Sequence, residues 1–215
     1  MGLGGLWDTT MCEYFSTLLR ALEAVKLENC AIFKDTDNKT YELINERSFA
    51  YELYRVWNCL NLSKLKINAE VTKEIGEAFK EKATELFGME HERFLPDMVL
   101  HHSQSDSDQQ EIICEIKLTE KLDKDSLEKD LKKLYAYTTQ NIVLYHPFKL
   151  GVFISVGGTW EDVVNKIYGV SNEAIHQLKK SKIIIVNAQI HEQKFIVKYK
   201  SLNRLLKNLT QDESN

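Results

Sequence analysis

Two short apolar runs separated by a polar stretch constrain this chain more than any other feature. Phe94-Leu95-Pro96-Asp97-Met98-Val99-Leu100-His101 and Glu111-Ile112-Ile113-Cys114-Glu115-Ile116-Lys117-Leu118 flank Ser103 to Gln110, which has the composition of a turn and no helical period. This spacing predicts a β-hairpin. In the second run Ile112, Cys114, Ile116 and Leu118 alternate with Glu111, Glu115 and Lys117, so the strand is expected to bury one face and offer the other. Folded symmetrically about Asp106, the hairpin sets Asp97 opposite or nearly opposite Glu115, with Cβ atoms about 5 Å apart. Two carboxylates and the Lys117 ammonium then converge. Anions that close repel, so the arrangement calls for a shared proton or a cation, and an oxygen-rich pair suits Mg²⁺ or Mn²⁺.

Pro96-Asp97 and Glu115-Ile116-Lys117, joined by a hairpin and followed by a Lys-rich helix, resemble the motif of the PD-(D/E)xK nuclease superfamily. Strand context and common facing carry the resemblance more than the letters do. It extends over roughly Asn45 to Val156, because Asn45-Glu46-Arg47-Ser48-Phe49 opens a helix upstream and Asp130-Leu131-Lys132-Lys133-Leu134 lies on a helix downstream. The resemblance implies a restriction-endonuclease-like α/β fold, a central mixed sheet flanked by helices on both sides. It also implies metal-dependent phosphodiester hydrolysis, with DNA as the expected substrate. Asp97 and Glu115 are then expected to hold Mg²⁺ or Mn²⁺, helped by the backbone carbonyl of Ile116 and by Glu46 or Glu52 from the upstream helix. Lys117 is expected to position the attacking water or to stabilise the phosphorane. Lys121, Lys124, Lys132 and Lys133 are the candidates for contact with nucleic acid. The competing class is the same fold with an inactive site, a binding or assembly module in which Asp97, Glu115 and Lys117 form an ordinary cross-strand salt bridge.

Composition sets the outer limits. At 215 residues and 43% hydrophobic, the chain is long enough for one good core, so a single domain is expected over 1–215. Within it, 1–44 is expected to be helical and strand decoration and 45–156 the nuclease-like core. Residues 157–215 are expected to complete the sheet as helix, strand and helix. No apolar run approaches the length of about 20 residues that crosses a bilayer, and the first residues lack a basic-then-apolar pattern. A cytoplasmic protein without a membrane partner is expected. The four cysteines show no CxxC pair, which points to neither a zinc cluster nor a disulfide framework. A net charge of −4 gives no global basic field, so any nucleic-acid surface must be local. One site per chain would need a homodimer to cut both strands of a duplex together.

Elsewhere the pattern predicts a helix over 10–27, a strand at Ala31-Ile32-Phe33 followed by a polar turn from Asp35 to Lys39, and a helix from Glu46 to Leu60 capped by Asn45. The resemblance favours Glu46, which matches the Asn-Glu-Arg opening seen in some relatives, while Glu52 lies beside the apolar stripe and within reach of Arg55 or Arg47. A strand over 65–72 and a helix over 77–87 precede the hairpin, and a helix over 125–139 follows it. Leu150 to Val156 reads as a buried central strand, parallel to the Glu115 strand through the intervening helix. Trp160 to Lys179 reads as one helix, Lys182 to Val186 as a second buried strand, and Phe195 to Tyr199 as its hairpin partner or an edge strand. His101-His102 ends a strand in no metal-ligand spacing, and Asp106 and Asp108 lack the rest of a calcium loop.

Overall fold

The computed structural model describes residues 9–36, 39–70, 73–74, 81, 93–94, 96–102, 110–139 and 146–212. The expected helix over 77–87, apart from residue 81, and the centre of the hairpin loop, with Asp106 and Asp108, lie outside the described residues. The chain is α/β. A six-stranded mixed sheet carries helices on both faces.

Helix α1 (Thr9–Ala24) buries Met11, Phe15, Leu18, Ala21 and Leu22. A two-stranded antiparallel sheet follows, β1 (Ala31–Thr36) with β2 (Lys39–Ile44). β1 runs on through Asp35 and Thr36, which the polar composition assigns to a turn. Helix α2 (Glu46–Leu60) begins where the Asn45 side chain accepts the Ser48 N–H at 2.9 Å, and it buries Phe49, Leu53, Val56 and Trp57. Next come β3 (Lys66–Ala69), the two-residue strands β4 (Lys73–Glu74) and β5 (Arg93–Phe94), β6 (Met98–His101) and β7 (Gln110–Leu118). Helix α3 (Lys124–Thr138) is capped by Asp123, whose side chain accepts the Ser126 N–H, and leads to β8 (Leu150–Gly157).

The expected single helix after β8 is two, α4 (Trp160–Tyr168) and α5 (Asn172–Leu178). Gly169 closes the first and Ser171 caps the second by accepting the Ala174 N–H, so two local signals outweigh a continuous apolar period. Strands β9 (Ile183–His191) and β10 (Lys194–Ser201) and helix α6 (Leu202–Asp212) complete the chain. The segment after 157 adds two strands to the sheet, and Phe195 to Tyr199 lie in β10, both the hairpin partner of β9 and the edge strand.

Strand order is β10-β9-β8-β7-β6-β3. β7, β8 and β9 run parallel, connected by α3 and by the α4–α5 pair, because parallel neighbours need a long crossover. β3, β6 and β7 form an antiparallel meander, and β10 is an antiparallel edge. β6 pairs with β7 through Met98 opposite Cys114, Val99 opposite Ile113 and Leu100 opposite Ile112. Carried back one residue, that register puts Asp97 opposite Glu115.

The sheet divides the core into two. Ile112, Cys114, Ile116 and Leu118 of β7 pack with α1 and α2, including Phe15, Phe49 and Trp57. Ile113 faces the other way, among Leu127, Leu131 and Leu134 of α3 and side chains of α4 to α6. β7 thus has both faces covered, where alternation predicts one open face, and Glu115 is only 2% exposed. The N-terminal helix belongs to the main core: Leu18, Ala21 and Leu22 are fully buried in it.

Candidate active site

Asp97 is pinned where the β6 ladder ends. Its carbonyl accepts the N–H of Glu70, just past β3, at 3.1 Å. Its Oδ2 accepts the Ile116 N–H at 2.6 Å. β6 begins only at Met98, so the Ile116 N–H has passed the last strand partner on that side, and the Asp97 carboxylate takes the place of a ladder carbonyl. Two residues further on the same device recurs. The Leu118 N–H donates to Glu46 Oε2 at 3.2 Å, from the first residue of α2. Two carboxylates therefore line the free edge of β7, on N–H groups about 7 Å apart along the strand. Lys117 lies between them in sequence, its Nζ 3.7 Å from Glu46 Oε1.

Glu115 lies behind this edge, under α3. Lys133 Nζ sits 2.7 Å from Glu115 Oε1 and 3.9 Å from Asp130 Oδ1, with both carboxylates buried. Burial pushes the Glu115 carboxyl well above the usual carboxylate range; Lys133 pulls it down, and Asp97 and Asp130 push it up further. Burial likewise raises Asp97, against the Ile116 N–H, Lys117 and Lys133. It raises Asp130 too, against Lys133 and Lys117. For Lys117 burial disfavours the charged form, but Asp130, Glu46, Asp97 and Glu115 outweigh it, so the ammonium holds its proton more firmly than usual.

The structure thus brings together Asp97, Glu115, Lys117 and Glu46, with Ile116 contributing its N–H to Asp97. Glu52 stands apart. It accepts from Asn29 Nδ2 and from Arg55 Nε and Nη2, each at 2.8 Å, and Arg55 holds its pKa below the usual value. Of the lysines expected to meet nucleic acid, Lys121 and Lys124 are exposed and Lys132 pairs with Glu128 at 2.8 Å. Lys133 is turned inward onto Glu115. The sequence names Asp130 only as part of the downstream helix and Lys133 only as a candidate for nucleic-acid contact; the structure sets both against Glu115. Their signal was an acid and a base three residues apart, with Asp130 set in the Leu127, Leu131 and Leu134 stripe of the crossover helix. His101 serves the sheet, its Nε2 2.8 Å from Asn68 Oδ1.

Among the described residues, no three His, Cys, Asp or Glu side chains are grouped so as to hold a metal ion. The donor chemistry nonetheless fits one: oxygen ligands only, with burial and repulsion between carboxylates raising Asp97 and Glu115, as suits a hard divalent cation. Asp97, Glu115 and Glu46 are the residues that would hold it. No helix of the described residues is long and apolar enough to cross a membrane. The chain matches no protein-family model, no curated protein and no solved structure.

Proposed function

We propose that this chain is a divalent-metal-dependent nuclease of the PD-(D/E)xK type, hydrolysing phosphodiester bonds of nucleic acid, DNA in the first place, on a restriction-endonuclease-like core. The observation that carries this reading is the 2.6 Å hydrogen bond from the Ile116 N–H to Asp97, which lays the Asp of the hairpin's first strand against Glu115-Ile116-Lys117 of its second. The succession α2, β3, β6, β7, α3, β8, with β7 and β8 parallel, supports the same fold.

In this reading each residue has a separable task. Asp97 is fixed by the strand edge and not by its rotamer alone. Lys133 favours the ionised form of Glu115 in a place where burial opposes it. Lys117 keeps its charge among four carboxylates and so can donate to the attacking water or to a non-bridging phosphate oxygen. Mg²⁺ or Mn²⁺ bound at Asp97 and Glu115 would supply an acidified water and neutralise charge on the phosphate. Asp97→Ala and Lys117→Ala should each abolish metal-dependent plasmid nicking while the far-UV circular dichroism stays that of the wild type. A folded variant that nicks as fast as the wild type refutes the assignment.

One observation favours the second reading, an inactive binding or assembly module. Glu115 and Lys117 each already have an ionic partner within the chain, Lys133 and Glu46. Calorimetric titration with Mn²⁺ separates the two: the module takes up no ion, and the nuclease binds one that Asp97→Ala loses.

A further inference from the structure

Beside the Asp97 edge, the first two turns of α2 and the end of β3 enclose a slot of about 190 Å³. It is lined by the carboxylates of Glu46, Glu70 and Asp97, by the small side chains Ala50 and Ala69, and by Ile116. Arg47 and Tyr51, one helical turn apart, line it as well. Tyr51 is 49% exposed, one of few large aromatic side chains the described fold leaves open to solvent. Arg47 is exposed, with a loose 3.6 Å contact to Glu70.

We propose that this slot selects unpaired nucleic acid: Tyr51 stacks on a nucleobase and Arg47 takes the neighbouring phosphate, delivering a single strand or a frayed end to Asp97. The inference rests on the nuclease reading and narrows its substrate. Inside a duplex each base is stacked on its neighbours and offers no face to a surface tyrosine, whereas an unpaired base does. At about 190 Å³ the slot is smaller than the roughly 300–1,000 Å³ of ordinary ligand pockets, so it can take part of one nucleotide and excludes a double helix. The three carboxylates that line the slot repel phosphate by themselves, and Arg47 is the cation among the lining residues that can take one.

The test is fluorescence anisotropy with a labelled oligothymidylate and a duplex of the same length, in Ca²⁺, comparing wild type with Tyr51→Ala, Tyr51→Phe and Arg47→Gln. The wild type should bind the single strand more tightly than the duplex. Tyr51→Ala should weaken single-strand binding by about 5- to 150-fold, the range of one base–aromatic stack, while Tyr51→Phe stays close to wild type. Arg47→Gln should lower the slope of log affinity against log salt by about 0.7. Equal binding of single strand and duplex, no binding of either, or a Tyr51→Ala protein that binds as the wild type does would each overturn the inference. The nuclease reading is tested apart from this, by cleavage of the same oligonucleotides in Mn²⁺. Failure to cleave, with Tyr51-dependent binding intact, refutes that reading and leaves the stacking site standing.

Discussion

Replacing Lys133 by Met removes the ammonium that lies 2.7 Å from Glu115 Oε1 and keeps most of the side chain's length. Glu115, 2% exposed, must then stay ionised without its partner or take up a proton. An unpaired buried charge costs about 3–5 kcal/mol. A proton costs less: holding a carboxyl of ordinary pKa 4.5 neutral at pH 7 takes about 3.4 kcal/mol, at about 1.36 kcal/mol per pH unit. That figure is a ceiling. In the wild type, burial, with Asp97 and Asp130 adding to it, already holds Glu115 well above 4.5 against the pull of Lys133, so part of the cost is present before the substitution. The variant should therefore lose about 1–3 kcal/mol at pH 7, or about 2–12 °C in Tm.

The sign of the pH dependence follows from the same shift. The folded chain binds the Glu115 proton more tightly than the unfolded chain, so this group favours folding most below pH 4.5 and progressively less as pH rises toward the folded pKa. Without Lys133 the folded pKa is higher still, and the decline runs on further. The gap between variant and wild type should narrow as pH falls and close where both hold Glu115 protonated. Thermal denaturation followed by circular dichroism between pH 5 and pH 8 reads this directly. A variant as stable as wild type at pH 7, or a loss of the same size at pH 5 and pH 8, refutes the reasoning. Glu115→Gln combined with Lys133→Met should recover much of the loss, because Glu115 is then no longer a buried carboxyl without its partner.

Gly158→Ala places a Cβ 2.5 Å from Thr119 Cγ2, and Thr119 cannot retreat easily because its hydroxyl is bonded to Ser155 and to the Val156 carbonyl. Overpacking of this kind costs about 1–3 kcal/mol, read as a Tm lower by about 2–12 °C; Thr119→Ser, which removes Cγ2 and keeps the hydroxyl, should return part of it. Glu46→Gln should slow metal-dependent cleavage at unchanged fold. Glu52→Gln should instead lower stability by about 1–2 kcal/mol and leave cleavage as it was, since its oxygens serve Asn29 and Arg55.

What was legible in the sequence was set by local chemistry. The alternation of Ile112, Cys114, Ile116 and Leu118 against a polar loop is enough to fix a register, because a one-residue slip would turn every one of those side chains to the other face. Asn45 and the stripe from Phe49 to Val56 bound α2, and the unbroken apolar run from Leu150 to Val156 marks a strand covered on both faces. The doubt between Glu46 and Glu52 had its resolution partly in view. Glu52 has Arg55 three residues on, and a carboxylate with a partner at that spacing is spoken for before the fold forms.

What stayed hidden depends on how distant segments meet. No feature of Glu111 to Leu118 announces that α3 will lie over its charged face, yet that helix turns an exposed-looking Glu115 into a buried carboxyl with Lys133 against it. Lysines near a nuclease-like motif read naturally as a substrate-binding face, and on Lys121 and Lys124 the open surface allows it. Lys133 shares their composition and not their position. The crossover helix must cover β7 to make β7 and β8 parallel neighbours, so whichever of its residues lies above Glu115 has to be a cation, a hydrogen-bond donor or a gap. Asp130 falls in the stripe of Leu127, Leu131 and Leu134, where an apolar residue would cost nothing. Its carboxyl adds repulsion that Lys133 and Lys117 offset, which makes α3 a part of the site and not only its roof.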